Sequence, residues 1–455
     1  MKRLRTDFYY FRNAFYEVGG SRLHSTAADA LLTYISIYGY DSLRGKGEDQ
    51  IREALAKTWK EIALAQEERP INVIEDPGQD NSAGLLSRIM PVLPWQKNKI
   101  KAAFLYNRDP ERSNWALGHE KGRQVVQERL QGKLETTVWI CDQDEQAQQV
   151  LESAIAGGAD VIFVTAAQML DACLKTAIEH PEVQILNCSL NVPHKYIRTY
   201  YPRMYEAKFI SGAIAGAMCT NGKIGYICNY PVYGNIAEIN AFARGVQMTN
   251  AHAQVYLEWS NDSSLKKKTG ELADRGIRLI SVRDMSRTGD KVQVLYGLQQ
   301  LEENGASQIL VQPEWNWGAY YERILRSILD GSYDAQENKT AKSLNYFWGM
   351  SSDVVDIQFS ELLPRGIRYL GELICKAIRM GVCRPFYDPT RDENGNLEWQ
   401  NVKATISMEE IISMDWLEPN VVGTIPSYDQ LSETARQLVD AIGVKQARKD
   451  AQEPS

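Results

Sequence analysis

The fold is decided by the stretch that begins at residue 100 and reads IKAAFLYNRDPERSNWALGHEKGRQVVQERL (residues 100–130). Its first seven residues form an apolar run typical of a buried strand, and a polar turn then leads into a segment with helical spacing from Trp115 to Leu130. The alternation continues, with strands predicted at 136–140, 160–164 and 184–187 and helices at 144–156 and 169–179. Strands that alternate with helices predict a parallel sheet covered on both faces.

The alternation restarts after Arg203, where a long helix predicted from Met204 to Met218 leads into a strand at 223–228. Gly212 and Gly216 on this helix favour close packing against a neighbour. The predicted fold class is therefore α/β with two Rossmann-like lobes. Their predicted bounds are about 99–203 and 204–312, with later crossovers between the lobes up to residue 426. In such sheets ligands bind beyond the carboxyl ends of the strands.

The segments that flank the two lobes have other patterns. Residues 1–70 predict a small helical region, 71–98 a linker, and 427–455 a C-terminal helix and tail. We interpret the N-terminal helices as a surface for a homodimer or a regulator. Nucleic acid is a less favoured partner, because the few basic residues near the start are typical of a solvated chain end.

Composition excludes several classes of protein. The chain has 455 residues and a net charge of −7, so it lacks the basic excess of nucleic-acid or anionic-membrane binders. The sequence contains no run of 18 apolar residues, so we predict no membrane insertion. The basic start Met1–Arg5 is not followed by the apolar segment of a signal peptide. The first cysteine is Cys141, so the sequence shows no cysteine near its start that could carry a lipid anchor. These features predict a cytoplasmic location, with a membrane-anchored lipoprotein whose leader was removed as the alternative.

Motifs of catalysis and metal binding begin in this sequence but are incomplete. His119-Glu120 starts like a zinc-binding H-E-x-x-H, but Arg123 stands at its fifth position. Gly222-Lys223 resembles the end of a phosphate loop that would need a glycine at Ala217. We therefore predict no catalytic residue, metal or cofactor. A nucleobase-processing enzyme remains a second alternative, since one fold hosts many activities.

Polar residues and tryptophans at the predicted strand ends suggest a ligand site. Each of them alone fits a loop, cap or core role, but together they favour a common cleft. The candidate ligand-binding residues are Trp115, Asn107, His119, Thr165, Asn187, Asn229, Tyr230, Asp284, Trp315 and Trp317.

Several motifs resemble one known family. They are Trp115-x-x-x-His119-Glu120-x-Gly122-Arg123, Thr199-Tyr200-Tyr201, Gly222-Lys223-Ile224-Gly225-Tyr226, Trp315-Asn316-Trp317-Gly318-x-Tyr320-Tyr321 and Met414-Asp415-Trp416. From Lys99 to Ser427 the chain resembles the basic membrane protein (BMP) family of solute-binding proteins, the purine and nucleoside receptors of bacterial ABC importers, and within it the adenine-binding-like subgroup. The resemblance implies a type I periplasmic-binding-protein fold whose lobes close over a purine.

The resemblance also implies roles for single residues. Trp115 would stack on the base, Asp284 would lie near the cleft, and Trp315 and Trp317 would line its wall. The positions of the family's ribose-binding Asp and Lys fall near Gln299 and Trp315-Asn316, which favours a nucleobase over a nucleoside.

The chain departs from the family pattern in three places. An aromatic residue is missing from the loop Thr165-Ala166-Ala167-Gln168, and an aromatic pair is missing after Asn261. Residues 284–312 are also shorter than the family pattern. Tyr230 and Tyr233 are the alternative aromatic contacts for the ligand.

Three functions follow, in order of preference. The first is a cytoplasmic sensor in which a purine-like ligand closes the cleft without being chemically changed. The alternative is the solute-binding component of an ABC importer, with an ABC permease as partner if the protein is exported. The second alternative is the nucleobase-processing enzyme.

Overall fold

The computed structural model describes most of the chain beyond residue 97. The described residues are 73–74, 98–143, 146–190, 197–260, 265–282, 296–303, 305–331, 333, 345–381, 383–386, 390–391, 397–398 and 406–448. The predicted helical region 1–70, with its homodimer contact, and Asp284 lie outside them.

The strands and helices alternate through the first half of the chain. In order they are β1 (Val73–Ile74), β2 (Ile100–Tyr106), α1 (Asn114–Arg129), β3 (Leu134–Ile140), α2 (Ala147–Ala156), β4 (Val161–Val164), α3 (Leu170–Glu179), β5 (Gln184–Asn187), β6 (Arg198–Pro202), α4 (Tyr205–Met218), β7 (Lys223–Cys228) and α5 (Asn235–Thr249). The remaining elements are β8 (Gln254–Trp259), α6 (Leu265–Asp274), β9 (Leu279–Val282), β10 (Gly297–Leu301), β11 (Ser307–Trp315), α7 (Trp317–Leu329), β12 (Asn345–Trp348), β13 (Val355–Phe359), α8 (Arg365–Arg379), β14 (Thr390–Arg391), β15 (Leu397–Glu398), α9 (Met408–Ile412), β16 (Val421–Val422) and α10 (Glu433–Ile442).

The first lobe is built on a parallel sheet, as the sequence predicts. Its strand order is β1-β12-β6-β5-β4-β2-β3, and all neighbouring strands run parallel. The central strand β4 is buried at all four positions, because helices cover both faces of the sheet. β1 lies within the predicted linker, so part of that linker belongs to this sheet.

The second lobe differs from the predicted all-parallel sheet. Its strand order is β13-β11-β10-β9-β7-β8-β16. The pairs among β9, β7, β8 and β16 are parallel, whereas β10 is antiparallel to β9 and to β11, and β13 is antiparallel to β11. The two lobes are therefore an α/β pair with one parallel and one mixed sheet.

Among the residues that the structure describes, three crossings join the lobes. The chain passes from β6 to α4 at Arg203, from β11 to α7 at Asn316, and from β12 to β13 through residues 349–354. The Arg203 N–H donates to the carbonyl of Trp348 (2.6 Å), and the Asn316 N–H donates to the carbonyl of Val354 (3.0 Å). Crossings that are far apart in sequence thus lie side by side.

Helices α4 and α5 pack closely on the second sheet because glycines line their contact. A Cβ atom at Gly212 would overlap the carbonyl oxygen of Phe242, and one at Gly245 would overlap that of Phe209. A Cβ atom at Gly216 would lie 2.6 Å from the carbonyl oxygen of Val246. The close packing predicted for Gly212 and Gly216 is confirmed.

Candidate functional site

The candidate site lies where the carboxyl ends of strands from both lobes come together. β2, β4 and β5 are parallel, so their carboxyl ends share one edge of the first sheet. In the second sheet β11 runs in the direction of β7, because two antiparallel steps through β10 connect β11 to β9, which is parallel to β7. Trp315 at the end of β11 contacts Trp115 of the first lobe, with ring centroids 4.8 Å apart.

Trp115 is fixed in the first turn of α1 at this junction. The Ser113 hydroxyl caps the helix by accepting the Ala116 N–H (3.2 Å), which sets where the helix begins. The indole Nε1–H of Trp115 donates to the carbonyl of Thr165 at the end of β4 (2.8 Å). The ring is half-buried. The ring lies beside the ends of β4 and β11, and its role in binding a ligand stays a prediction.

His119 and Trp317 are buried, in contrast to the cleft-lining positions expected of them. His119 is fully buried and Trp317 is 2% exposed, and their rings stack 4.0 Å apart between α1 and α7. The His119 Nδ1 shares a hydrogen bond with the Tyr321 hydroxyl (2.5 Å). Burial holds the pKa of His119 well below its usual value, so the imidazole is neutral at pH 7. In this arrangement both rings pack against the ring of Trp115.

Three nitrogen atoms of this aromatic cluster have no hydrogen-bond partner among the described residues. They are the His119 Nε2 and the indole Nε1 atoms of Trp315 and Trp317. Buried polar atoms nearly always find a partner in protein or ordered water, since an unpaired one is costly. The cluster therefore retains capacity for hydrogen bonds with a small polar molecule.

The rest of the motif around His119 has a packing role. The Glu120 carboxylate accepts the Tyr106 hydroxyl (2.9 Å) and pairs with Arg123 (2.6 Å). Burial acts to raise the pKa of Glu120, but hydrogen bonds from Arg123 and Tyr106 outweigh burial and lower it. Gly122 lets α7 approach, because a Cβ there would lie 2.6 Å from the Cβ of Trp317. These contacts fix α1 on β2 and α7.

The polar residues of the first-lobe edge differ in their hydrogen-bonding capacity. The Thr165 hydroxyl donates to the carbonyl of Leu105 (3.1 Å). Asn187 is engaged within its own lobe, because its amide donates to the carbonyl of Ala166 (2.9 Å) and its Oδ1 accepts the Ser189 hydroxyl (2.6 Å). Asn107 has a buried Oδ1 without a partner among the described residues. Asn107 thus has an acceptor atom available for a ligand.

The second-lobe edge is formed by the loop after β7. Asn229 and Tyr230 are half-buried, and the Tyr230 carbonyl accepts the Asn235 side-chain amide (2.9 Å). Tyr233 lies beside Arg448, whose Nη2 donates to its hydroxyl (3.4 Å). Tyr233 is therefore held by the C-terminal segment.

Sequence reasoning missed two residues near the site. The Tyr321 hydroxyl is the partner of His119, and a helical spacing of four residues from Trp317 could have placed both rings on one face of α7. Lys208 is 1% exposed on α4 and donates to the carbonyl of Val282 at the end of β9 (3.1 Å). No sequence signal marks a lysine for burial, because its contacts come from distant strands.

Two kinds of feature are absent from the described part of the chain. There, no helix is long and apolar enough to cross a membrane. Among the same residues, no group of three or more His, Cys, Asp or Glu side chains is arranged to hold a metal ion. All seven cysteines have free thiols.

Comparison with known proteins finds a family model that is similar to part of the chain. The model of the Bmp family, described as ABC transporter substrate-binding protein PnrA-like, matches residues 99–308. The resemblance to the solute-binding family is therefore confirmed over these residues. The adenine-binding-like subgroup stays a prediction.

Individual relatives and solved structures are also similar. A purine-binding protein of Brucella abortus is 25% identical over 342 residues, which span 72% of this chain and 95% of the relative. A putative ABC transporter glucose-binding protein of Haloferax volcanii is 24% identical over 266 residues, spanning 56% of this chain and 66% of the relative. An ABC transporter solute-binding protein of Aeropyrum pernix has a solved structure with a TM-score of 0.47 and 13% identity, covering 65% of this chain and 95% of that one.

Proposed function

We propose that this chain is the substrate-binding component of an ABC importer and that its interlobe cleft holds a purine-like base without changing it chemically. The family match over residues 99–308 and the relative named as a purine-binding protein support this proposal. They favour the importer over the cytoplasmic sensor that the sequence analysis preferred. They give the predicted cytoplasmic location no support, and a lipoprotein anchored outside the cell fits an importer better.

The observation that carries the proposal is the setting of Trp115. Its ring contacts His119, Trp315 and Trp317, and all three contacts are edge-to-face, with interplanar angles of 71–85°. No described ring stacks parallel on Trp115. A flat heteroaromatic ring that enters between the lobes supplies the missing parallel stack, which aromatic rings and nucleobases favour.

The polar atoms around Trp115 suit a bare base better than a nucleoside. The indole N–H of Trp315 can donate to a purine ring nitrogen, and the Asn107 Oδ1 can accept from an amino or ring N–H group. Gln299, at a position expected to bind ribose, is buried, and its amide donates to the carbonyl of Tyr296 (3.1 Å). It is therefore engaged within its own lobe.

Titration calorimetry tests the ligand class. Adenine, guanine, hypoxanthine and their nucleosides are titrated into the protein after refolding from denaturant to remove any carried ligand. We expect heat from at least one base and weaker binding of its nucleoside. The absence of binding by all six compounds would refute the purine proposal.

Replacing Trp115 tests the stacking contact. We expect Trp115→Ala to weaken binding of the base by about 1–3 kcal/mol, or roughly 5- to 150-fold in Kd, because the stack is lost. Trp139→Ala is the matched control, since Trp139 lies on the outer strand β3 and donates to Thr137 (3.2 Å). Equal affinities of both variants and the parent protein would remove Trp115 from the site.

Transport and location need a cellular test. We expect that deletion of the gene abolishes uptake of the labelled base and that protease added to intact cells digests the protein. Undiminished uptake would contradict the importer function, and protection in intact cells with cleavage after lysis would contradict an external location. Chromatography of nucleosides incubated with the protein checks for turnover, which would contradict a purely binding role.

A further inference from the structure

The C-terminal segment packs against the strand-end loops. We define the C-terminal strap as residues 433–448, which comprise helix α10 and the turn after it. The Ser432 hydroxyl caps the helix by accepting the Ala435 N–H (3.3 Å). The inward-facing side chains of the strap are buried, and they are Ala435, Val439, Ile442, Val444 and Ala447. The strap is thus a packed part of the molecule.

Backbone hydrogen bonds attach the strap to the second lobe. The Tyr233 N–H donates to the carbonyl of Ile442 (2.9 Å), and the Val444 N–H donates to the carbonyl of Pro231 (3.1 Å). Val232 and Gly443 form an antiparallel bridge between these two bonds. The bonded loop directly follows β7, so the strap lies against the edge of the second lobe that faces the cleft.

A buried cation strengthens this attachment. The Arg448 guanidinium lies 5.7 Å from the centroid of the Tyr233 ring, and its Nε donates to the carbonyl of Gly443 (2.8 Å). Arg448 is only 8% exposed. Its contact with the ring therefore occurs away from bulk water, where a cation–π interaction is strongest.

The same strap also contacts the first lobe. Helix α10 packs against the short turn Ala167–Met169. This turn follows Thr165, whose carbonyl accepts the indole N–H of Trp115. The strap therefore touches the loops after β4 and β7, which carry candidate site residues of different lobes.

We propose that the C-terminal strap spans the mouth of the interlobe cleft and controls access to it. At the three crossings the polypeptide chain itself connects the lobes. The strap connects them differently, through noncovalent contacts with the loops after β4 and β7. Opening the cleft at these loops must separate the strap from one of them. Since backbone bonds hold it to the loop after β7, it moves with the second lobe and separates from the Ala167–Met169 turn. This inference uses the proposed function only in taking the cleft as the ligand site.

A proline variant can weaken the strap without straining its backbone. Val444 has φ −68° and ψ 151°, and Gly443 before it has φ −70° and ψ 151°, which suit a proline and the residue that precedes one. Val444→Pro therefore removes the N–H that donates to Pro231 and replaces one buried apolar side chain by another. Glu433→Pro is the matched control, because Glu433 is the exposed first residue of α10, where a proline is tolerated.

The reactivity of two native cysteines can report how firmly the strap is attached, in an experiment that needs no ligand. Cys228 ends β7 beside the strap-bonded loop, and Cys219 precedes the opposite end of the same strand; both are buried. Trypsin cleavage at Lys223 places them on different peptides, so mass spectrometry follows their alkylation by iodoacetamide separately. We expect Val444→Pro to speed alkylation of Cys228 by roughly five- to tenfold, the factor for one net hydrogen bond. Cys219 and the Glu433→Pro variant should keep the parent rates.

Two outcomes would overturn the proposal. One is an unchanged Cys228 rate in Val444→Pro, and the other is equal acceleration of Cys219, which would indicate general loosening of the lobe. Because no ligand is used, this result is independent of the calorimetry. Failure of all purines to bind would refute the proposed function and leave the control of access by the strap standing.

Discussion

His119 is the residue whose environment differs most from the expectation. Its position in the first helix after β2 suggests contact with a ligand, but the structure buries it completely against Trp317 and Tyr321. Position along a helix predicts which turn lies near the strand ends. It does not predict that a helix about 200 residues later covers that turn. Trp115, one turn nearer to the helix start, is half-buried.

The buried His119 makes stability depend on pH. Its pKa is well below 6.5 in the folded protein and returns to about 6.5 on unfolding. The unfolded chain therefore binds a proton first as pH falls. We expect the His119 contribution to be fully present above pH 6.5 and to fall by up to about 1.4 kcal/mol per pH unit below it.

Urea unfolding at pH 7.5, 6.5 and 5.5 checks this expectation. The His119→Gln variant, which cannot titrate at this position, should lose less stability than the parent protein between pH 6.5 and 5.5. Equal losses in the two proteins would mean that His119 takes up its proton in the folded state too.

At the scale of elements, the contact between α4 and α5 depends on glycine. A methyl group on Gly212 would meet the backbone of Phe242, which cannot turn away as a side chain can. We expect Gly212→Ala to lower the free energy of unfolding by about 1–3 kcal/mol, as overpacking does. Urea unfolding monitored by circular dichroism measures this loss.

Gly270 provides the control for that experiment. It lies in α6 with no atom within 4 Å of an added Cβ. Gly270→Ala should therefore raise stability by about 0.5–1 kcal/mol, since alanine favours a helix. A loss of stability at Gly270 similar to that at Gly212 would contradict the packing argument.

The sequence predicted the elements of the first lobe closely. Strands expected at 100–106 and 184–187 have those bounds, and the helix expected at 169–179 begins one residue later. The antiparallel part of the second sheet was not predictable in this way. Strands β10, β11 and β13 pair through contacts between distant residues, and a short apolar strand has the same local pattern in either direction.

At the scale of the whole molecule, Asn316 ties two crossings together. Its Oδ1 accepts the Ala319 N–H and so caps α7 (3.3 Å), while its Nδ2 donates to the carbonyl of Asp353 on the third crossing (2.8 Å). We expect Asn316→Ala to lower the free energy of unfolding by about 1–2 kcal/mol, because both bonds are lost.

Asn316→Asp separates the two contributions. An aspartate keeps the cap but cannot donate to Asp353, so its stability in urea should lie between those of the alanine variant and the parent protein. Parent-like stability of Asn316→Asp would show that the tie between the crossings contributes nothing.

The place of β12 in the first sheet has a consequence for biosynthesis. β12 lies between β1 and β6, and Val73 pairs with Asn345. The ribosome must therefore deliver residue 348 before the first lobe can be completed, although most of its strands emerge before residue 203. Until then β6 has an unsatisfied edge, which is a site for aggregation in a nascent chain. The lobe that is translated first is the one that we expect to finish folding only after most strands of the second have emerged.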